Sequence, residues 1–519
     1  MVEMEDNDLG EYEEVFEEVE EDEFEESMLE PREIVFFEPR MKPNTPGKLK
    51  IGRTVLLSFA FLCALAALTY YNLAVPKILE ELVPSSFVFL GFIQRKTFIG
   101  FLMTIDNILA ITLQPFFASL SDRTESRFGR RIPYMIIGVA GSALFFGLAP
   151  IAQFLGYFVG MLFCYNIMMS FFRSPALALV PDYSEEKLRS SASGLQQLIA
   201  NIGTIVAFGV PIIVGFAVPA SPPGDEAAAA IRDVRILRSG FPIVSAVMII
   251  CLLILVFTVK ETPTGKGFLR FSKEKINIDS MKFYIIQPNE DEIISENNNK
   301  RKKKKRDNAF IKIFKKDNRA ILLLLFAVLF WFMGFAAIEA NFSVLGTDFF
   351  EIPVDDVSLL GMVYPVSMIV ASVPAGLVGK KIGRKKTIYI CLGMLLLSLV
   401  IMASVVISLK NVIGFAIMMG FVGFFWMGVI VNTFPILWRL CPENEVSTFT
   451  GIYYTFNQTA AILGPILMGG IFDLANPGLG SNMYWSLFPF VIFCVVVALI
   501  FFIFVKGGEA IEESKAEYY

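Results

Sequence analysis

Ionisable side chains stand inside three of the apolar runs of this sequence. Asp106, followed by Asn107, lies near the middle of FIGFLMTIDNILAITLQPFF (residues 98–117), Arg173 lies in the fourth run and Glu339 in the seventh. A charge at membrane depth costs about 3 kcal/mol or more, so such residues usually face a polar cavity or a partner. We predict that Asp106 and Arg173 belong to a substrate or proton site, with Glu339 as the second candidate acid.

Helical geometry gives the expected depth of these side chains. Asp106 precedes Asp122 by sixteen residues and Arg173 precedes Asp182 by nine. At a rise of 1.5 Å per residue, they lie roughly 24 Å and roughly 13 Å from their cytoplasmic ends. A direct pair would be stretched, which leaves Asp106 for a proton or a substrate hydroxyl. Arg173 is expected to share a layer with Gln114, Gln197 and Asn201.

Amides and aromatic rings supply the other groups of the expected site. Asn457 and Gln458 are candidates from the second half of the chain. Amides in membrane spans often only link helices, so that interpretation stays open for them as for Gln197 and Asn201. Polar groups that bind hydroxyls, combined with rings that pack on CH faces, are typical of a sugar site. The candidate rings are Trp331, Phe332, Tyr364, Trp426, Tyr453 and Tyr454.

The residue inventory argues against several other kinds of site. The sequence has no histidine, and its six cysteines stand singly without CxxC spacing, so neither a zinc site nor a disulfide framework is indicated. No pairing of acids, nucleophile with base or metal cluster suggests an enzyme, and no cofactor is expected. Without histidine, proton coupling would run through carboxylates, first Asp106 and then Glu339.

Composition identifies the elements that must position these residues. The chain is 55% hydrophobic and 18% charged, with a mean hydropathy of +0.60, which is typical of a membrane protein. Apolar runs long enough for a helical span start near residues 54, 97, 132, 154, 191 and 241, and again near 320, 358, 387, 412, 449 and 483. The prediction is an all-α membrane protein with twelve transmembrane helices in two six-helix halves.

Five segments follow from this division. We predict a disordered acidic cytoplasmic tail (1–46), an N-terminal half (54–259), a basic cytoplasmic central loop (260–319), a C-terminal half (320–505) and a cytoplasmic tail (506–519). Most Lys and Arg residues of the short loops fall on one side, which places both termini in the cytoplasm. Exceptions are Arg95, Lys96 and the RDVRILR stretch from Arg232 to Arg238, which fall outside.

Matching motifs indicate that the two halves are an internal repeat, as in many transporters. A basic loop that contains glycine follows the second span of each half, GRRIPY from Gly129 and GRKKTIY from Gly383. Glycine permits a tight turn there, and basic residues meet anionic headgroups. Contact with headgroups alone would account for Arg130, Arg131, Lys385 and Lys386, whereas for Asp122 we favour a role in gating.

The segment QPFFASLSDRTESRFGRRIPY, from Gln114 to Tyr134, resembles the loop after helix 2 in the major facilitator superfamily. The form is that of the sucrose transporters and the solute carrier 45 group, which are related to the glycoside–cation symporters. FFRSPALALVPDY, from residue 171 to 183, resembles the end of helix 4 in the same group. The resemblance implies a major facilitator fold and a gating motif. Its residues would be Asp122, Arg123, Gly129, Arg130, Arg131, Gly383 and Arg384.

The sequence departs from the family pattern at two positions. Ala118 replaces the usual glycine after the QP pair, and Lys380 stands where an acid is common. The second departure weakens the expectation of a matching gate in the second half.

These features predict a secondary active transporter of the plasma membrane that carries a sugar, a disaccharide or glycoside, together with a proton by alternating access. One alternative keeps the fold but exports the solute or carries another polar metabolite. An alternative of another class is a receptor or scaffold that transports nothing. The expected partners are a small solute, a coupling cation and anionic lipid at the basic central loop, with no nucleic acid and a monomeric state.

Overall fold

The computed structural model describes residues 51–507, apart from residues 123, 125, 127, 152–153, 183–188, 223, 260–317, 407 and 442–445. Within this part there are twelve helices that are long and apolar enough to cross a membrane. The predicted acidic tail (1–46), nearly all of the central loop (260–319) and most of the last segment (506–519) lie outside the described residues.

Among its described residues, the first half contains seven α-helices that form six spans. They are α1 (Ile51–Leu82), α2 (Arg95–Met103), α3 (Ile105–Asp122), α4 (Ile132–Leu148), α5 (Leu155–Asp182), α6 (Arg189–Ala217) and α7 (Glu226–Thr258). Helices α2 and α3 form one span, which is divided at Thr104. A small antiparallel hairpin, β1 (Val88–Phe89) and β2 (Ile93–Gln94), connects α1 to α2 and pairs Val88 with Gln94.

The second half contains six helices. They are α8 (Arg319–Val344), α9 (Val354–Ile382), α10 (Arg384–Ile401), α11 (Val412–Leu440), α12 (Val446–Leu479) and α13 (Leu487–Ile503). Helix α8 continues into a wider π turn, Leu345–Phe349. The predicted all-α membrane protein with two six-helix halves is therefore confirmed.

The helical form follows from the surroundings of the apolar runs. Lipid offers no partner for backbone N–H and C=O groups, so each run must satisfy them internally, as a helix does. Hydroxyls inside the spans are satisfied in the same way, since Ser58 Oγ donates to Thr54 O at 2.6 Å. Large rings fill the space between helices; the Phe146 and Phe241 centroids, for example, are 4.6 Å apart.

Three pairs of helices carry the main contacts between the halves, namely α1 with α8, α2 with α12, and α6 with α9. We call the end of the bundle that holds Leu82, Arg95 and Phe349 the outer end, and the opposite end the inner end, after the predicted orientation. Helices α2 and α12 approach closely at Gly100, where a Cβ would lie 2.5 Å from the carbonyl oxygen of Pro465. Only glycine fits this contact without a backbone shift.

Candidate functional site

The division of the second span places Asp106 in the first turn of α3. Thr104 Oγ1 turns back to donate to Phe101 O at 2.8 Å, and α3 begins at Ile105. A carboxylate in the first turn of a helix is favoured by the unpaired backbone N–H groups there. The Asp106 carboxylate accepts a hydrogen bond from the side-chain amide of Asn107 at 2.8 Å. It is half-buried and within electrostatic range of both Arg173 and Glu339.

Arg173 of α5 lies between carboxylates that belong to different halves. It interacts electrostatically with Asp106 of α3 and with Glu339 of α8. Among the described residues it forms a direct ion pair with neither of them. Three ionisable groups from both halves therefore lie within electrostatic range of one another without a direct ion pair. We call Asp106, Arg173 and Glu339 the central charged group.

A residue that the sequence-based site left out lies beside Glu339. It is Asn72 of α1, whose side chain is close to the Glu339 carboxylate. Asn72 interrupts the apolar run of the first span, so a search for polar as well as ionisable residues in such runs would have found it. Asn72 and Glu339 thus lie next to each other between α1 and α8, one helix from each half.

Tyrosines surround the central charged group on both sides. In the first half, the rings of Tyr71 and Tyr165 stack with centroids 6.0 Å apart, and both hydroxyls lie within electrostatic range of Asp106. In the second half, Tyr364 stands near Glu339. The hydroxyls of Tyr165 and Tyr364 are buried without a hydrogen-bond partner among the described residues. Buried polar groups are usually paired, so these two hydroxyls are suited to a polar ligand or to water.

Aromatic rings form a wall beside Tyr364. Phe335 stacks on Trp426 with centroids 4.9 Å apart and planes 17° apart, and on Tyr364 with centroids 5.8 Å apart. Phe332 meets Trp426 edge-on. Trp331 does not belong to this wall, because it is buried and its ring lies toward Phe502 of α13.

The predicted amides do not form one contiguous cluster. Asn201 is buried, and its side-chain oxygen accepts a hydrogen bond from Gln197 Nε2 at 3.4 Å. Gln196, which the sequence-based site left out, is also buried and donates to Ala176 O of α5. The half-buried Gln114, Asn457 and Gln458 make no hydrogen bond to another described residue.

Tyr454 also belongs to the surroundings of Arg173. It lies on α12 about two turns from the inner terminus of that helix, interacts electrostatically with Arg173 and is 42% exposed. At the outer end the two halves are tied together. Lys77 of α1 pairs with Asp348 of the π turn, and Tyr484 accepts a hydrogen bond from Lys96 Nζ at 2.6 Å.

The expected gating loops are built alike. Gly129 and Gly383 both have left-handed backbone angles, with φ of +90° and +98°. Arg131 is only 5% exposed and its guanidinium donates to Ser121 Oγ at 3.3 Å, so it ties the loop to α3 and does not lie against headgroups. Ser121 Oγ in turn donates to the backbone oxygen of Arg130. Arg384 begins α10 and lies within electrostatic range of Arg439.

Two residues of the predicted motif cannot be placed. Arg123 and the side chain of Asp122 lie outside the described residues. The role of Asp122 in gating therefore stays a prediction.

The twelve-span bundle, tied at one end and with a charged group between its halves, defines a membrane transporter. Comparison with protein families gives the narrower assignment: the chain belongs to the Major Facilitator Superfamily, which it matches over residues 57–352 and 341–517. The chain is thus a multi-pass membrane transporter and not an enzyme, and the receptor or scaffold alternative is set aside.

Solved structures share this fold at low sequence identity. One is a bacterial homolog of the human lysosomal transporter Spinster in an inward-facing, unoccupied conformation, with 13% identity, a TM-score of 0.57, and coverage of 88% of this chain and 95% of that one. A POT family transporter in complex with 5-aminolevulinic acid has 14% identity, a TM-score of 0.57 and the same coverage. A mutant of the nucleoside transporter NupG has 14% identity and a TM-score of 0.59, with 88% and 100% covered. No curated protein matches the sequence significantly.

Proposed function

We propose that this protein is a secondary active transporter that carries a sugar, a disaccharide or glycoside, together with a proton. The observation that carries the proposal is the central charged group, in which Arg173 lies between Asp106 of its own half and Glu339 of the other. Charged residues at membrane depth are typical of substrate and proton pathways. Because the group spans both halves, a movement of one half against the other changes its geometry.

The chemistry around this group suits a polyol. Carboxylates and the Arg173 guanidinium bind hydroxyls, and the buried hydroxyls of Tyr165 and Tyr364 add two further polar contacts. The rings of Phe335 and Trp426 offer a flat surface for the CH face of a sugar ring. The resemblance of the loop after the second span to sucrose transporters supports the same solute class.

The proton step is assigned to Asp106, with Glu339 as the second acid. The chain has no histidine, so within the site a carboxylate is the group left to take up and release a proton. Protonation of Asp106 would release Arg173 to interact with the substrate, and deprotonation on the opposite side would draw Arg173 back. In this way the uptake of the solute is coupled to the uptake of a proton.

Alternating access would proceed by rocking of the two halves. The outer-end contacts of Lys77, Asp348, Lys96 and Tyr484 must break for solute to enter from outside and form again before release at the inner end. We further propose a plasma-membrane location, cytoplasmic termini, a monomeric state, and contact of the basic central loop with anionic lipid.

Transport by the purified protein in proteoliposomes tests the proposal. Solute counterflow with a panel of unlabelled disaccharides, glycosides, nucleosides and other polar metabolites identifies the solute class; nucleosides are included because NupG shares the fold. Accumulation is then measured with an inward and with an outward proton gradient, which separates symport with a proton from exchange against a proton. A sugar should exchange, and an inward gradient should drive its accumulation. Exchange of another solute class, or equal accumulation with an inward and an outward proton gradient, would overturn the assignment.

Asp106→Asn tests the proton step directly. This variant should abolish accumulation driven by the gradient while counterflow, which needs no net proton movement, persists. Glu351→Gln is the matched control, because Glu351 is an exposed carboxylate at the outer end that pairs with Lys410, far from the central charged group. Accumulation by Asp106→Asn at the rate of the unaltered protein would remove Asp106 from the mechanism.

A further inference from the structure

Three arginines stand at the outer end of α7, although most of the basic residues in the short loops fall on the opposite, cytoplasmic side. Arg232, Arg235 and Arg238 recur at intervals of three residues, and the twenty residues that follow, 239–258, contain no charge. Twenty apolar residues suffice to cross the hydrocarbon layer. Arg235 and Arg238 therefore stand at the level of the phosphate headgroups. Arg232 is paired across the halves with Asp355, but the other two arginines have no part in transport as described above.

An open cleft of about 510 Å³ lies beside these two arginines, between the outer ends of α1, α4 and α7. It is separate from the central charged group, and every residue that lines it belongs to the first half. Its lining combines polar side chains with exposed apolar ones, chiefly Glu81, Ile151, Ile231, Arg235, Arg238 and Ser239.

The cleft carries one excess positive charge. Arg238 donates to the Glu81 carboxylate at 2.9 Å and to the backbone oxygen of Pro150 at 3.3 Å, so Glu81 balances this arginine. Arg235 is exposed and forms no ion pair with any residue that the structure describes. The neighbouring Ser239 hydroxyl is also exposed. A guanidinium beside a hydroxyl matches the oxygens of a phosphate group.

We propose that this cleft binds the phosphodiester headgroup of a phospholipid in the outer leaflet, with the phosphate on Arg235 and Ser239. Ile151 and Ile231, which are 64% and 61% exposed, would meet the first carbons of the acyl chains. This apolar side and the position at headgroup level favour a lipid over a free phosphate ion. Arg232 lies one turn from Arg235 on the same helix, so a bound headgroup restrains the part of α7 that is paired with the second half. The proposal is independent of the solute that is transported.

Binding of defined molecules to the purified full-length protein tests this site. Delipidated protein in detergent is titrated with phosphatidylglycerol, with diacylglycerol of the same acyl chains and with inorganic phosphate, and binding is followed by native mass spectrometry and thermal unfolding. Arg235→Gln removes the excess charge, and Ser239→Trp fills the cleft while keeping that charge. Lys410→Gln removes a cation at the same outer end, in the second half, where it faces Glu351. All three variants keep the basic central loop, so lipid bound there is a constant background.

Arg235→Gln should weaken the binding of phosphatidylglycerol about fivefold, because one basic residue near a headgroup contributes about that factor. Ser239→Trp should weaken it as well, whereas Lys410→Gln should leave it unchanged. Equal loss in Arg235→Gln and Lys410→Gln, no loss in either cleft variant, or equal binding of diacylglycerol would overturn the lipid site. Stabilisation by inorganic phosphate to the same extent, lost in Arg235→Gln, would assign the site to a free anion and overturn the lipid assignment.

Discussion

Asp473 of α12 caps the start of α2 in the opposite half, where it accepts hydrogen bonds from the backbone N–H of Thr97 at 2.7 Å and from its hydroxyl at 2.6 Å. A further bond comes from the backbone N–H of Lys96 at 3.0 Å. A carboxylate normally caps the helix of its own segment, whereas here the cap joins two helices that lie more than 370 residues apart in sequence. Formation of the cap therefore depends on closure of the outer end.

Asp473→Ala should shift the protein toward the outward-open state. The lost bonds involve a charged acceptor, and such bonds contribute about 1.5–3 kcal/mol each, enough to move a two-state equilibrium by tenfold or more. Distance measurements between spin labels on the outer ends of the two halves report this opening. The matched control is Asp225→Ala, since Asp225 caps α7 within its own half at 2.9 Å from Ala228 N. An unchanged distance distribution in Asp473→Ala would show that the cap does not hold the outer end closed.

Arg232 and Asp355 form another tie between the halves. The guanidinium donates two hydrogen bonds to the carboxylate, both at 3.1 Å. Arg232→Asp should place like charges across the halves and favour outward opening. The exchange Arg232→Asp with Asp355→Arg should restore part of the closed population, measured with the same labels. If the double variant opens as far as the single one, the effect does not come from this pair.

The hydroxyl of Tyr364 is expected to bind the substrate and not to stabilise the fold. Tyr364→Phe should raise KM for transport by roughly 5-fold to 30-fold, the loss expected for one or two kcal/mol of hydrogen bonding, with little change in Tm. Tyr70→Phe is the converse control, because the Tyr70 hydroxyl donates to Leu237 O at 2.7 Å and links α1 to α7. It should lower Tm and leave KM unchanged. A fall in Tm with an unaltered KM in Tyr364→Phe would assign that hydroxyl a structural role.

Gly100 should be intolerant of a side chain because of its contact with Pro465. A Cβ at this position meets backbone atoms, which cannot rotate away, so Gly100→Ala should hinder closure of the outer end and lower the transport rate. Gly160→Ala is the control, since a Cβ there meets no atom within 4 Å. Stopped-flow transport and the outer-end labels measure the effect. Equal rates in both variants would show that α2 and α12 need not approach so closely during transport.

Much of the fold could be predicted because a bilayer permits few backbone conformations. An apolar run of about twenty residues in lipid must close its own backbone hydrogen bonds, so the count of runs predicted twelve helical spans and their division into halves. The same rule singled out Asp106, Arg173 and Glu339, since an ionisable residue in such a run needs a polar neighbour. The repeated loops at Gly129 and Gly383 were also visible in sequence, and both glycines have left-handed backbone angles.

The neighbours of these residues were decided by tertiary structure alone. A membrane helix is apolar on the side that faces lipid and on the side that faces other helices, so the pattern of residues does not reveal its rotation about its axis. The approach of Asn72 to Glu339, the position of Trp331 against Phe502 and the capping of α2 by Asp473 all depend on that rotation. The sequence alone determines the spans and the charges within them. The packing of the two halves determines which charges share a space and at which end the bundle is closed.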